Sequence, residues 1–109
     1  MRIWLIGASQ AGTEALRQLH KHDEIDVVVS ADNARPPAVK EGLIDKVDYV
    51  ETVTSVNVNT LARRIRPDLI LIDTTAGAFG RMTGGNALSQ AITAEIVAAS
   101  DYPCLILGG

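Results

Sequence analysis

Residues 2–12, Arg-Ile-Trp-Leu-Ile-Gly-Ala-Ser-Gln-Ala-Gly, constrain the fold more than any other stretch of this chain. An apolar run ends on a glycine, and a helical pattern starts directly after it. A strand that turns into a helix on a glycine is the opening of a β-α-β unit, whose strands run parallel. The same geometry aims backbone N–H groups and a helix N-terminus at the carboxyl edge of the sheet, where phosphates bind.

The rest of the chain repeats this punctuation. Residues 3–6 read as the first strand and 11–20 as the first helix, with Ala11, Ala15, Leu16 and Leu19 on one face. Residues 25–30 form the second strand. Pro36-Pro37 stops the loop that follows, and residues 38–44 have room for a short helical turn. Residues 47–53 alternate apolar and polar side chains, as a strand nearer a sheet edge does. Asn57 or Ser55 caps the next helix, whose stripe is Val58, Leu61, Ala62 and Ile65, with Pro67 beyond its end. Residues 68–73 are the fourth strand, and 74–85 a loop rich in glycine and threonine. Residues 86–100 are a helix with Leu88, Ala91, Ile92, Glu95 and Ile96 near one face, and 104–107 are the last strand. Helical crossovers make the strands parallel and the connections right-handed. The expected fold is α/β: a three-layer, doubly wound parallel sheet of about five strands, order 3-2-1-4-5, Rossmann-like. Residues 1–109 are expected to form one domain without repeats or linkers.

Composition narrows the function classes. The chain is 47% hydrophobic but only 4% aromatic, so its core is aliphatic, as suits strands covered on both faces. A net charge of −3 offers no basis for nucleic-acid binding. No apolar run approaches the roughly 20 residues of a membrane span, and no secretory signal pattern is present. The expected location is therefore cytoplasmic, away from membranes. Cys104, the single cysteine, sits in an apolar run and is expected to be a buried thiol in a reducing compartment. No Cys/His set has metal-ligand spacing, so no metal site is expected.

Gly7 and Gly12 bracket a degenerate G-x-G-x-x-G in which Ser9 replaces the middle glycine. Gly7 ends the strand where a tight turn calls for positive φ, and the bare Cα of Gly12 lets the helix approach the strand. Ser9 either pushes a phosphate outward or hydrogen-bonds it. Gly7, Ala8, Ser9, Gln10, Ala11, Gly12 and Thr13 are therefore candidate phosphate-binding residues. Asp32 follows Gly12 by twenty residues and ends the second strand. At that spacing an acidic side chain takes the ribose hydroxyls of an adenosine. Asn33 and Arg35 adjoin it. The charge of Arg35 suits a ribose phosphate and keeps NADP open, while Asp32 repels one and favours NAD. Thr74 and Thr75 begin the long loop on the same edge and join the candidate set. Asp73, just before them, has two open readings: a catalytic or ribose-facing carboxylate, or a loop cap. His20 and His22 lie at the opposite end of the first helix and read as solvated groups.

Through Ile3–Gly12 (IWLIGASQAG) and Val27–Asp32 (VVVSAD), the chain resembles the Rossmann-type NAD(P)-binding domain superfamily in a compact, stand-alone form. It departs from the family pattern at Ser9. The resemblance implies pyrophosphate at residues 7–13 and adenosine ribose at Asp32. Ile6-Gly7-Ala8-Ser9 is also similar to the segment that carries the nucleophilic serine of chemotaxis methylesterases, and to CoA-binding domains. Asp32 through Ala38 is faintly similar to pre-ATP-grasp domains. A serine nucleophile needs a base within hydrogen-bond reach, and neither histidine is expected near Ser9. The expected function is binding of NAD(H) or a related adenine nucleotide by a sensing or adaptor domain, with NADP, CoA and ATP open as alternatives. A protein partner goes with that role. Without a substrate lobe, hydride transfer by this chain alone is not expected, and no catalytic residue is assigned. The competing expectation is a homodimeric interaction domain that keeps only the fold.

Overall fold

The structure, a computed structural model, describes residues 1–75 and 86–107, with 86–90 as backbone. In chain order the elements are β1 (Arg2–Ile6), α1 (Gln10–Leu19), β2 (Asp26–Ala31), α2 (Pro37–Lys40), β3 (Tyr49–Val50), α3 (Val58–Ile65), β4 (Leu69–Asp73), α4 (Asn86–Ala99) and β5 (Cys104–Leu107). The strands pair in parallel in the order β3-β2-β1-β4-β5. This is the doubly wound, Rossmann-like α/β sheet that the alternation of elements predicts.

Alternation along β1 divides the core in two. Ile3 and Leu5 pack with Leu16, Val29, Ala38 and Leu71 on the face covered by α1 and α2. Trp4 and Ile6 pack with Leu61, Ile65, Ile70, Ile72 and Ile96 on the face covered by α3 and α4. Both faces are thus dry, which is why the strands read as continuous apolar runs. Helix α3 buries all four residues of its predicted stripe and ends on Arg66, in the left-handed region (φ 56°), just before Pro67. Asn57 precedes α3 without capping it; its side-chain oxygen accepts the Thr54 N–H at 2.8 Å and closes the preceding turn.

Four further expectations are corrected. Strand β3 is only Tyr49–Val50, paired to Ser30 and Ala31. The flanking Val47 and Val53 are both buried, but in opposite cores. Residues an even number apart in one strand share a face, so a continuous strand over 47–53 is geometrically excluded. Helix α1 buries Gly12, Thr13 and Leu16, with Ala11 and Ala15 only half-buried. The helix is rotated so that Gly12 faces the sheet. Helix α4 turns Thr93 and Ile96 inward while Ala91 and Glu95 are exposed. Cys104 is half-buried, because β5 is an edge strand. Among the described residues no helix is long and apolar enough to cross a membrane.

A polar pair sits in the centre of the α3/α4 side. The Trp4 indole N–H donates to Ser30 Oγ at 2.9 Å, and both side chains are fully buried. Ser30→Ala leaves the indole N–H without an acceptor, at a cost of about 1–3 kcal/mol. Urea unfolding followed by the fluorescence of Trp4, the single tryptophan, measures this directly. A loss within about 0.5 kcal/mol, the range of an ordinary surface change, would contradict it.

Candidate functional site

The site grows from the β1–α1 turn. Gly7 takes φ 86°, a conformation that only glycine adopts freely, and its N–H donates to Ser30 O at 2.7 Å. The turn is thereby tied to the end of β2. Gly12 lies in the first turn of α1, so close to the sheet that a Cβ there would stand 2.5 Å from Gly7 O and 2.8 Å from Asp73 Oδ2. Both glycines are required by geometry.

Asp73 ends β4, next to β1 at the switch point of the sheet. It is 0% exposed and lies at the N-terminus of α1. Its Oδ2 accepts the N–H of Ser9 at 2.9 Å and of Gly12 at 2.8 Å. Its Oδ1 accepts the Thr75 N–H at 2.8 Å and the Thr75 hydroxyl. Thr75 Oγ1 in turn accepts the Ala11 N–H at 3.0 Å, and the Thr13 N–H donates to Ser9 O at 2.8 Å. A carboxylate at a helix N-terminus satisfies donors that have no intrahelical partner and complements the helix dipole. Of the two readings open for Asp73, this is the cap, and it caps α1 as well as its own loop.

Beside this cluster, on the β2 side, lies a cavity of about 460 Å³, within the usual size of small-molecule sites. Gly7, Ala8, Ser9, Asp32, Asn33 and Arg35 line it together, so six of the sequence-derived candidates converge. Lys40 lines it as well and is the residue that the sequence reading missed. Its signal lay in Pro37, which starts α2 and brings position 40 round to the cleft. The Ala38 N–H pins α2 to Ala8 O at 3.2 Å. In the loop, Asn33 donates from Nδ2 to Asp32 Oδ1 at 2.9 Å and accepts the Arg35 N–H on Oδ1 at 3.0 Å. Asp32 keeps its second carboxylate oxygen unpartnered among the described residues, and Arg35 and Lys40 have no ion pair there. The cleft thus offers one carboxylate acceptor and two cations.

The remaining candidates lie elsewhere. Gln10, Ala11, Thr13 and Thr75 line a second cavity of about 550 Å³, beside Arg17, which is paired with Glu14 and Glu41. Gly12 is buried and lines neither cavity. Thr74 donates its N–H (3.0 Å) and its hydroxyl (2.8 Å) to Leu107 O, which holds β5 to the end of β4. Residues 76–85 of the long loop lie outside the described residues. His20 and His22 follow α1, about 16 Å along the helix from Ser9, so neither serves Ser9 as a base. Among the described residues no group of acidic, histidine or cysteine side chains could hold a metal.

No protein-family model and no curated protein sequence matches the chain. The site has to be read from its own geometry.

Proposed function

We propose that the chain binds an adenine nucleotide, of the class that includes NAD(H), in the β1–β2 cleft, and that it acts as a sensing or adaptor domain. One observation carries this reading: Asp32, the Gly7–Ser9 turn, Arg35 and Lys40 converge on a single cavity. The free oxygen of Asp32 accepts a ribose hydroxyl. Ala31, Pro36 and Pro37 give the base an apolar wall. Arg35 and Lys40 supply the positive charge that a phosphate needs.

The test is thermal melting against NAD, NADH, NADP, NADPH, ATP, AMP and CoA at millimolar concentration. A ligand at about 100 times its Kd adds ~2.7 kcal/mol, a shift of several degrees for a domain of this size. Adenine nucleotides are expected to raise the melting temperature. Asp32→Ala should weaken them by about tenfold, the worth of a hydrogen bond to a charged group. The unliganded melting temperature of that variant should hardly move, because Asp32 is exposed. No shift with any compound would overturn the reading.

A second reading, a homodimeric interaction domain, is favoured by Leu105 and Ile106 on the edge strand β5, which are 56% and 54% exposed. Apolar side chains on an open sheet edge are a pairing surface. Analytical ultracentrifugation decides it, since a monomer at high micromolar concentration would remove this reading.

A further inference from the structure

We infer that Asp73 is a specificity-determining residue: its carboxylate occupies the position at the α1 N-terminus where a diphosphate would sit, so the cleft selects a nucleotide with a single phosphate group. This rests on the binding reading above and narrows it.

A dinucleotide held in the usual manner of a doubly wound sheet lays its pyrophosphate on the N–H groups of the first helix. Here those donors are taken. Ser9 and Gly12 give theirs to Asp73 Oδ2, Ala11 to Thr75 Oγ1 and Thr13 to Ser9 O. Among the described residues, only Ala8 and Gln10 keep an N–H without an acceptor between residues 7 and 13. The dipole of α1 is already complemented by a full negative charge, so a second anion there meets repulsion in place of attraction. Asp73 has no room to swing aside. It is fully buried, held on both oxygens and 2.8 Å from where a Cβ on Gly12 would lie. Among the described residues, the cationic side chains that line the cleft are those of Arg35 and Lys40. A nucleoside monophosphate satisfies Asp32 with its ribose and these cations with its phosphate. A longer phosphate chain that continues toward α1 gains nothing there.

Calorimetric titration of the wild-type chain with adenosine, AMP, ADP and NAD tests this without any variant. AMP is expected to bind about tenfold or more tightly than adenosine, as a charge-assisted contact requires. ADP and NAD are expected to bind no more tightly than AMP. If NAD or ADP binds about tenfold more tightly than AMP, the inference about Asp73 is wrong while nucleotide binding stands. If none of the four binds, the functional reading itself fails and takes this inference with it. Asp73→Asn adds a second test wherever the variant folds. Removing the charge is expected to raise the affinity for ADP relative to AMP by about fivefold or more, and an unchanged ratio overturns the inference. Lys40→Ala should lower the affinity for AMP by about tenfold and leave that for adenosine unchanged, whereas an equal loss for both would contradict the placement of the phosphate.

Discussion

Asp73→Ala is expected to destabilise the chain by on the order of 3 kcal/mol, the upper range for leaving buried donors without a charged acceptor. The substitution removes the acceptor of the Ser9 and Gly12 N–H groups and both bonds from Thr75. The Gly12 N–H stays buried at the junction of β1, β4 and α1, where water does not readily replace the lost carboxylate, while the Ser9 and Thr75 groups are half-buried. The expected fall in melting temperature exceeds about 10 °C, since 1 kcal/mol corresponds to roughly 4–8 °C in a small domain. Such a loss is a large part of the ~5–15 kcal/mol that holds a domain folded. Asp73→Asn should cost less, because the amide keeps an acceptor for the α1 donors and loses only the side toward Thr75. A melting temperature for Asp73→Ala within about 2 °C of wild type would show that the carboxylate does not hold α1.

The second large effect belongs to Gly12. Gly12→Ala places a methyl group 2.5 Å from Gly7 O and 2.8 Å from Asp73 Oδ2. The first obstacle is backbone, and the second is a side chain held by hydrogen bonds on both oxygens. Neither gives way cheaply, so α1 has to move outward from β1 and β4, at a cost of about 3 kcal/mol, the upper range for overpacking a tight site. The same movement stretches the bonds from Ser9 and Gly12 to Asp73. The two substitutions therefore damage one network, and Gly12→Ala with Asp73→Ala together should cost about 1 kcal/mol or more less than the sum of the single losses. Denaturant unfolding of the three variants checks this, and strict additivity would separate the glycine contact from the carboxylate. Both predictions concern stability. At Gly12 the residue pattern that suggests phosphate binding is also the pattern that close helix–strand packing requires.

That double meaning explains how far the sequence could be read. Strand order and helix placement were legible because each apolar run ends on a turn signal: Gly7 after β1, Pro36-Pro37 after β2 and Pro67 after α3. Strand β3 was misread because Val47 and Val53 are both apolar, while only the tertiary structure shows that they serve opposite cores. In the site, Asp32, Asn33 and Arg35 were found from their distance to Gly12, a spacing that the β-α-β geometry enforces. Lys40 was not, because its approach to the cleft depends on the short turn of α2 and on the Ala38–Ala8 bond between distant segments. The role of Asp73 was left open for a related reason. A carboxylate at the end of an apolar strand faces a ligand or a helix, and the choice depends on how closely α1 approaches. Gly12 determines that approach, and the two residues could only be read together.

The central claim, that the β1–β2 cleft takes an adenine nucleotide, is tested most directly by amide chemical-shift mapping of the ¹⁵N-labelled chain titrated with AMP. The amides of Gly7, Ala8, Ser9, Asp32, Asn33, Arg35 and Lys40 are expected to shift in a saturable manner, with those of α3 and β5 unmoved. Absence of saturable shifts at millimolar AMP, or shifts confined to residues outside the cleft, would contradict it.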